Sequence, residues 1–161
     1  MRTFCYYNSP IGTLLLVGSH GRLEQLHFPN SIDKANPEQD AQEDDTPFAR
    51  VILELDEYFA GKRRVFTIPL TLKGTEFQQQ VWHELTKIGY GHTASYSDIA
   101  RRLGKPKAYR AVGLANGRNP VPIIIPCHRI IGKDGSLAGF GGGVEIKKQL
   151  LDLENQAETN R

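Results

Sequence analysis

The chain has 161 residues, 39% of them hydrophobic and 24% charged, with a formal net charge of +2. That is the composition of an ordinary globular protein, long enough for one domain or two small ones. No apolar run is long enough to cross a bilayer and Met1–Tyr7 lacks the apolar core of a secretion signal, so a cytoplasmic protein with no membrane partner is expected. The two cysteines, Cys5 and Cys127, lie far apart without the companions of a zinc site, so neither a disulfide nor a structural metal is expected.

Charge is unevenly distributed. Residues 1–74 hold eight Lys/Arg against ten Asp/Glu, a net of −2, whereas residues 75–161 hold twelve against eight, a net of +4. From residue 99 to 133 every charged side chain is basic: Arg101, Arg102, Lys105, Lys107, Arg110, Arg118, Arg129 and Lys133. Such a run suits a polyanionic partner, and equally a solvated face that happens to be basic.

In chain order, Arg2–Asn8, Gly12–Gly18 and Arg22–Phe28 are β-rich runs separated by turns at Ser9-Pro10 and His20-Gly21. Residues 30–47 are polar, acidic and aperiodic, which predicts a mobile loop. Phe48, Ile52, Leu55 and Phe59 recur at helical spacing up to Gly61, and Val65–Leu70 is one more extended segment. Residues 1–72 thus read as a small α/β domain, a sheet plus a helix, with no recognisable chemistry; His20 and His27 are ordinary surface or turn residues.

After a linker at Leu72-Lys73-Gly74, residues 75–161 read as a mainly α domain. Thr75 can cap a helix whose buried stripe is Phe77, Val81, Leu85 and Ile88, with Trp82 in the core. Ser95-Tyr96-Ser97-Asp98 has the spacing of a capping box and predicts a short helix through Leu103. After the Gly104-Lys105-Pro106 turn, a second helix runs from about Lys107 to Asn116, with Ala108, Ala111, Val112 and Ala115 on one small-residue face. Gly113 allows close approach of a neighbour, and Arg110 lies off that face. Two short helices of this kind read as a helix-turn-helix, although helical hairpins also pack in many other settings. A last helix, about Val144–Asn155, is expected to bury Ile146, Leu150 and Leu153.

The chemistry gathers at Ile123-Ile124-Ile125-Pro126-Cys127-His128-Arg129-Ile130-Ile131. Branched aliphatics on both sides predict buried strands around a polar step that holds a thiol, an imidazole and a guanidinium. Taken alone, Cys127 is either a small core hydrophobe or a nucleophile whose thiolate a neighbouring cation or base sustains. Asn119 can brace the turn before it. The glycine-rich segment around Phe140 lacks phosphate-loop spacing and suits close approach to a flat ligand. Glu154 is the candidate carboxylate to orient an imidazole, although taken alone it reads as an ordinary surface helix residue.

Together these residues resemble the O6-alkylguanine-DNA alkyltransferases, the methylated-DNA–protein-cysteine methyltransferases. The resemblance is carried by Phe77–Trp82, Ser95-Tyr96, Arg110–Gly113, Asn119–Pro122 and Ile125–Arg129, and in the first seventy residues by Ser9–Gly12 and Tyr58–Gly61. It implies irreversible, single-turnover transfer of a methyl or other alkyl group from O6 of guanine, with O4 of thymine as an alternative source, to Cys127 after the damaged base is flipped out. His128 would take the thiol proton through a water, Glu154 would hold the imidazole, Asn119 would brace the cysteine and Tyr96 would donate to the leaving guanine. Arg110 would fill the gap in the base stack, with Lys107, Ala108, Tyr109 and Arg118 as further DNA contacts. Phe140, Gly141, Gly142 and Arg129 would line the substrate pocket. The implied partner is double-stranded DNA containing alkylated guanine, bound by a monomer that is free to assemble cooperatively on DNA, with no cofactor.

Three positions depart from the family pattern. Phe140 stands where members can carry a base-binding Tyr, and Tyr109 replaces a small residue. Ser19 and Glu24 occupy positions of an N-terminal zinc set found in some members, so no metal is expected. A thioether cannot be cleaved by any neighbouring group, which fits one reaction per molecule. Two rivals remain from the sequence: a cysteine hydrolase using Cys127, His128 and Glu154, and a non-catalytic sensor of alkylated DNA. A Cys-His pair on an extended strand would point to opposite faces, which suits the hydrolase poorly.

Overall fold

The computed structural model describes residues 1–137, 140 and 142–159 and divides into two compact units, Met1–Leu72 and Lys73–Arg161. In the first, β1 (Arg2–Ser9), β2 (Gly12–Ser19) and β3 (Arg22–His27) form an antiparallel meander. β2 is the centre, and its run Leu14-Leu15-Leu16-Val17 is buried on both faces, as a doubly covered strand requires. The β2–β3 turn has His20 and Gly21 at φ 53° and 73°, the paired left-handed conformation that matches strand twist.

The stretch 30–47 is more ordered than its polarity predicts. It contains α1 (Ile32–Ala35) and β4 (Gln42–Glu43), and β4 pairs parallel with β1 to give the strand order β3-β2-β1-β4. The reason is a few apolar side chains: Ile32, Ala35 and Ala41 pack on Phe4, Leu15 and Val17 and cover that face of the sheet. Cys5, Tyr7, Leu14 and Leu16 point to the opposite face, where Tyr7 Oη donates to Asp56 of α2 (Ala49–Phe59) at 2.5 Å. The buried residues of α2 are Val51, Glu54, Leu55 and Tyr58, a stripe turned by one residue from the expected Ile52 and Phe59. Val65–Leu70 adds only a single bridge, Leu23 to Leu70, because Pro69 has no N–H with which to extend a ladder.

In the second unit both predicted caps form. The Thr75 hydroxyl accepts from Gln78 N–H while Gln78 returns a bond to Thr75, opening α3 (Glu76–Leu85). Ser95 and Asp98 do the same for α4 (Tyr96–Arg102). α5 (Tyr109–Gly117) starts two residues later than expected, since Lys107 and Ala108 belong to a turn closed by Ala108 N–H on the Lys105 carbonyl. Buried Trp82 of α3 donates its indole N–H to the Ala115 carbonyl at 2.9 Å, tying α3 to α5. The last helix, α6 (Val144–Thr159), buries Lys147, Leu150 and Glu154, while Ile146 and Leu153 are half-buried. Two of its three most buried side chains are therefore polar, against the expected apolar stripe. No helix among the described residues is long and apolar enough to cross a membrane.

Candidate active site

The cysteine is presented by a loop that its own sequence forces out of strand geometry. Pro120, Pro122 and Pro126 remove three ladder donors, and buried Ile123 sits at φ 74°, a conformation that a β-branched residue adopts only under strain of about 1–3 kcal/mol. The expected buried strand over Ile123–Ile131 is accordingly absent. Asn119 closes this loop with both ends of its amide, Nδ2 to the Ile125 carbonyl at 2.8 Å and Oδ1 from Val121 N–H at 3.0 Å. Cys127-His128-Arg129 then form one 3-10 turn, buried throughout. Adjacent side chains on such a turn still diverge, so the hydrolase geometry gains nothing from the change. Arg129 and Ile131 pair with Ala94 on either side, which fixes the turn against the N-terminus of α4 and its first residue, Tyr96.

Beneath the turn lies a closed ionic cluster. His128 Nε2 meets Glu154 Oε2 at 2.6 Å. Arg129 forks onto the same carboxylate through Nε at 2.9 Å and Nη2 at 3.1 Å, and its Nη1 donates to the Ile88 carbonyl at 2.7 Å. Burial alone would raise the Glu154 pKa, but the His128 hydrogen bond and the Arg129 charge outweigh it and hold the group at about 2. Burial also lowers the pKa of His128, with Glu154 opposing and Arg129 and Lys147 assisting, so the imidazole is neutral. An ionised carboxylate only accepts, so Nε2 carries the proton and Nδ1 is left with its lone pair. Nδ1 is buried and has no hydrogen-bond partner among the described residues. The arrangement is a fixed, neutral base with its basic nitrogen unpaired among the described residues.

The thiol itself is 4% exposed, and burial pushes its pKa up to about 11. Three groups oppose that rise: the Asn119 side chain, the charge of Lys147, and the backbone N–H of Cys127. Lys147 is fully buried on α6, its Nζ lies 5.8 Å from the centre of the Phe140 ring, and it makes no hydrogen bond among the described residues. Burial lowers its pKa while the Cys127 charge raises it. Tyr96, half-buried, has its phenol raised first by burial and then by Cys127, which puts the hydroxyl within electrostatic reach of the sulfur.

Away from this cluster, Arg101, Arg102, Lys105, Lys107, Arg110 and Arg118 are all exposed on or beside α4 and α5. Arg101 pairs with Asp98, Lys105 lies over the Phe77 ring, and Arg110 lies 6.0 Å from the ring centre of Tyr109.

Two family models cover the chain: the 6-O-methylguanine DNA methyltransferase ribonuclease-like domain over residues 4–72, and the DNA binding domain of the same methyltransferase over residues 76–156. A methylated-DNA–protein-cysteine methyltransferase of Methanosarcina barkeri is 47% identical over 92% of this chain and 96% of its own length. One from Mycobacterium leprae is 49% identical over 91% of this chain and 88% of its own. The chain belongs to the methylated-DNA–protein-cysteine methyltransferase family. The structure of Mycobacterium tuberculosis OGT in complex with DNA superposes on this member with a TM-score of 0.90 at 43% identity, covering 96% and 94% of the two chains.

In this methyltransferase-family member, Cys127, His128, Glu154, Asn119 and Tyr96 come together as one cluster. Arg129 is expected in the substrate pocket from the sequence; its guanidinium is instead buried on Glu154 and the Ile88 carbonyl, so it leaves the basic surface. Phe140 is half-buried beside Lys147 and Gly142 is buried, whereas Gly141 lies outside the described residues. Ser19 and Glu24 bond to each other, and Glu24 also pairs with Arg2 at 3.2 Å. Sequence reasoning missed Lys147 and Asn116. Lys147 stands seven residues before Glu154, two full helical turns, so the periodicity that buries one polar group also buries the other.

Proposed function

We propose that this methyltransferase repairs alkylated DNA by moving the alkyl group from O6 of guanine onto Sγ of Cys127, once per molecule. The observation that supports this most is the unpaired Nδ1 of a neutral, carboxylate-held His128 next in sequence to a buried thiol. Burial pushes the Cys127 pKa up to about 11, so the group is a thiol at pH 7. Deprotonation must therefore accompany transfer. The thiol proton passes, through a water, to His128 Nδ1, and Sγ attacks the alkyl carbon as its bond to O6 breaks. Electron density moves into the purine, which takes a proton from Tyr96 Oη and remains in the DNA as the dealkylated base. Asn119 and Lys147 stabilise the negative charge while it is on sulfur, in a water-poor setting where such contacts act strongly.

The alkylated base cannot be reached inside a duplex, so α4 and α5 serve as a helix-turn-helix that grips the backbone while Arg110 enters the stack behind the extruded nucleotide. Lys107, Ala108, Tyr109 and Arg118 complete that surface, and the free protein is a monomer. Phe140 offers a ring and no hydroxyl, so it walls the base without hydrogen-bonding it. The test is incubation with a duplex containing O6-methylguanine followed by intact mass. A permanent gain of one methyl group, lost in Cys127→Ser and kept in Cys5→Ser, is expected. Methyl gain by Cys127→Ser, or release of methyl over time, overturns the assignment.

A further inference from the structure

One side chain holds both oxygens of Glu154. Arg129 donates Nε–H to Oε1 at 2.9 Å and Nη2–H to Oε2 at 3.1 Å, through the planar fork that only an arginine presents. Oε1 also accepts from Gly91 N–H at 3.3 Å, and Oε2 accepts from His128 Nε2 at 2.6 Å. The guanidinium is itself fixed. Its Nη1 donates to the Ile88 carbonyl at 2.7 Å, the Tyr90 ring centre lies 5.7 Å from Cζ, and the Arg129 carbonyl accepts from Ala94 N–H. At 6% exposure, this is a cation that water does not screen.

Without that cation the pair would be a desolvated carboxylate against a neutral ring, and a desolvated carboxylate takes up a proton readily. A second proton on the pair either turns the ring into an imidazolium or sits on the carboxyl and donates to Nε2, which sends the ring proton to Nδ1. In both forms Nδ1 carries a proton and can accept none. We propose that Arg129 is a positioning residue for the transfer: by occupying both Glu154 oxygens it keeps that carboxylate an acceptor only, and so holds His128 with its proton on Nε2 and its lone pair on Nδ1. The inference rests on the reading of His128 as the base that receives the Cys127 proton. Lys147 of α6 is the other cation acting on the ring, and it works in the same direction as Arg129. Cys127, next in the turn, is a neutral thiol there.

The experiment follows single-turnover methyl transfer from an O6-methylguanine duplex between about pH 8 and about pH 5. It compares the unaltered protein with Arg129→Lys and Arg129→Met, with thermal melting of each. Nitrogen NMR of His128 in the unaltered protein and Arg129→Lys reads directly the pH at which Nδ1 takes up a proton. The unaltered protein is expected to keep its rate and an unprotonated Nδ1 below 6.5, the ordinary value for a histidine. Arg129→Lys keeps a charge and loses the fork. It is expected to stay within about twofold at the alkaline end and to slow about tenfold more than the unaltered protein at the acid end, its Nδ1 taking up a proton about one pH unit higher. Arg129→Met is expected to move the acid limb further and to melt lower, because the carboxylate loses its counter-charge. Equal slowing of Arg129→Lys at every pH, with the limb in place, makes Arg129 a packing residue and overturns the inference. A ring proton on Nδ1 in the unaltered protein near neutral pH overturns it with no variant needed. An unaltered protein that takes no methyl group sinks the transfer reading instead, and the Nδ1 measurement then still decides whether Arg129 sets the state of the ring.

Discussion

Each unit buries one glutamate on a helix against basic side chains, and the two are built to different ends. Glu54 of α2, 2% exposed, is closed on every side: Thr67 gives it a backbone N–H at 2.8 Å and a hydroxyl at 2.6 Å, Arg50 lies at 3.2 Å and Arg63 at 3.6 Å. Glu154 of α6, 1% exposed, is as well supplied by Arg129 and His128, but its cluster ends in a His128 Nδ1 that is buried and has no hydrogen-bond partner among the described residues. Lys147 Nζ and Asn116 Oδ1, also buried without hydrogen-bond partners among the described residues, belong to the same unit. The cysteines differ in the same way. Burial and three carboxylates, those of Asp45, Glu43 and Asp44, all push Cys5 upward to about 12, whereas Asn119, Lys147 and a backbone N–H pull against burial at Cys127. Burial of polar groups is common to scaffold and site; incomplete satisfaction distinguishes the site.

The largest expected effect separates the two glutamates. Glu154→Gln leaves buried Arg129 without its counter-charge and should lose about 3 kcal/mol or more in urea unfolding, whereas Glu54→Gln strands only exposed Arg50 and half-buried Arg63 and should lose less. Only Glu154→Gln also frees the imidazole to donate from either nitrogen. Methyl transfer by the folded protein should therefore fall about a hundredfold or more for Glu154→Gln and stay unchanged for Glu54→Gln. Comparable slowing in both variants would mean that Glu154 acts through stability alone.

A second contrast concerns Lys147. Replacement by Met keeps most of the buried volume and removes an ammonium that has no hydrogen-bond partner among the described residues. Lys147→Met should raise the melting temperature, because a desolvated charge disappears, and slow transfer about tenfold, because the charge opposing the rise in the Cys127 pKa is gone. The thiol limb of the pH–rate profile should move to higher pH. A profile that stays in place would remove Lys147 from the chemistry.

Much of this architecture is legible in the sequence, and the misses have common causes. The three meander strands and the caps at Thr75 and Ser95 follow from alternation, turn residues and side-chain oxygens acting within a few residues of themselves. Order in residues 30–47 depends on Ile32, Ala35 and Ala41 finding Phe4, Leu15 and Val17, contacts that local composition cannot display. The Ile123–Ile131 stretch has strand composition, but prolines and the bonds of Asn119 decide its path. Cys127 and His128 stand out as a motif, whereas Lys147 and Asn116 look like helix-surface residues until tertiary packing buries them.

Acid should weaken the fold in two overlapping steps. His128 has its folded-state pKa lowered from 6.5, so below that pH the unfolded chain takes up a proton that the folded chain refuses, and stability falls. Glu154, held at about 2 against an ordinary 4.5, contributes fully above 4.5 and loses its contribution as pH falls toward 2. Urea unfolding free energies measured across this range should decline below 6.5 and more steeply below 4.5. In Glu154→Gln the lower step should shrink, leaving the part that comes from carboxylates such as Glu54, whose pKa is also lowered. An identical lower step in the variant would place the acid sensitivity elsewhere.

The smallest effect tests whether close approach within the protein explains two glycines. At Gly18, in the bulged β2–β3 pair, an added Cβ would lie 2.4 Å from the Arg22 carbonyl oxygen, so alanine there must displace backbone. At Gly113 in α5 the nearest atom would be Tyr96 Cε1 at 3.6 Å, an ordinary contact, and the backbone is helical. Alanine in a helix interior is favoured over glycine by about 0.5–1 kcal/mol. Gly113→Ala should therefore raise the melting temperature by about 2 °C, while Gly18→Ala lowers it. Transfer of methyl from a free O6-alkylguanine base should be unchanged in Gly113→Ala, because the added carbon touches only the flank of the Tyr96 ring. If transfer from duplex DNA slows while the free base reacts normally, the glycine is kept for the approach of DNA to α5, not for packing. If the free base slows as well, the 3.6 Å gap to Tyr96 is space that the phenol needs to move.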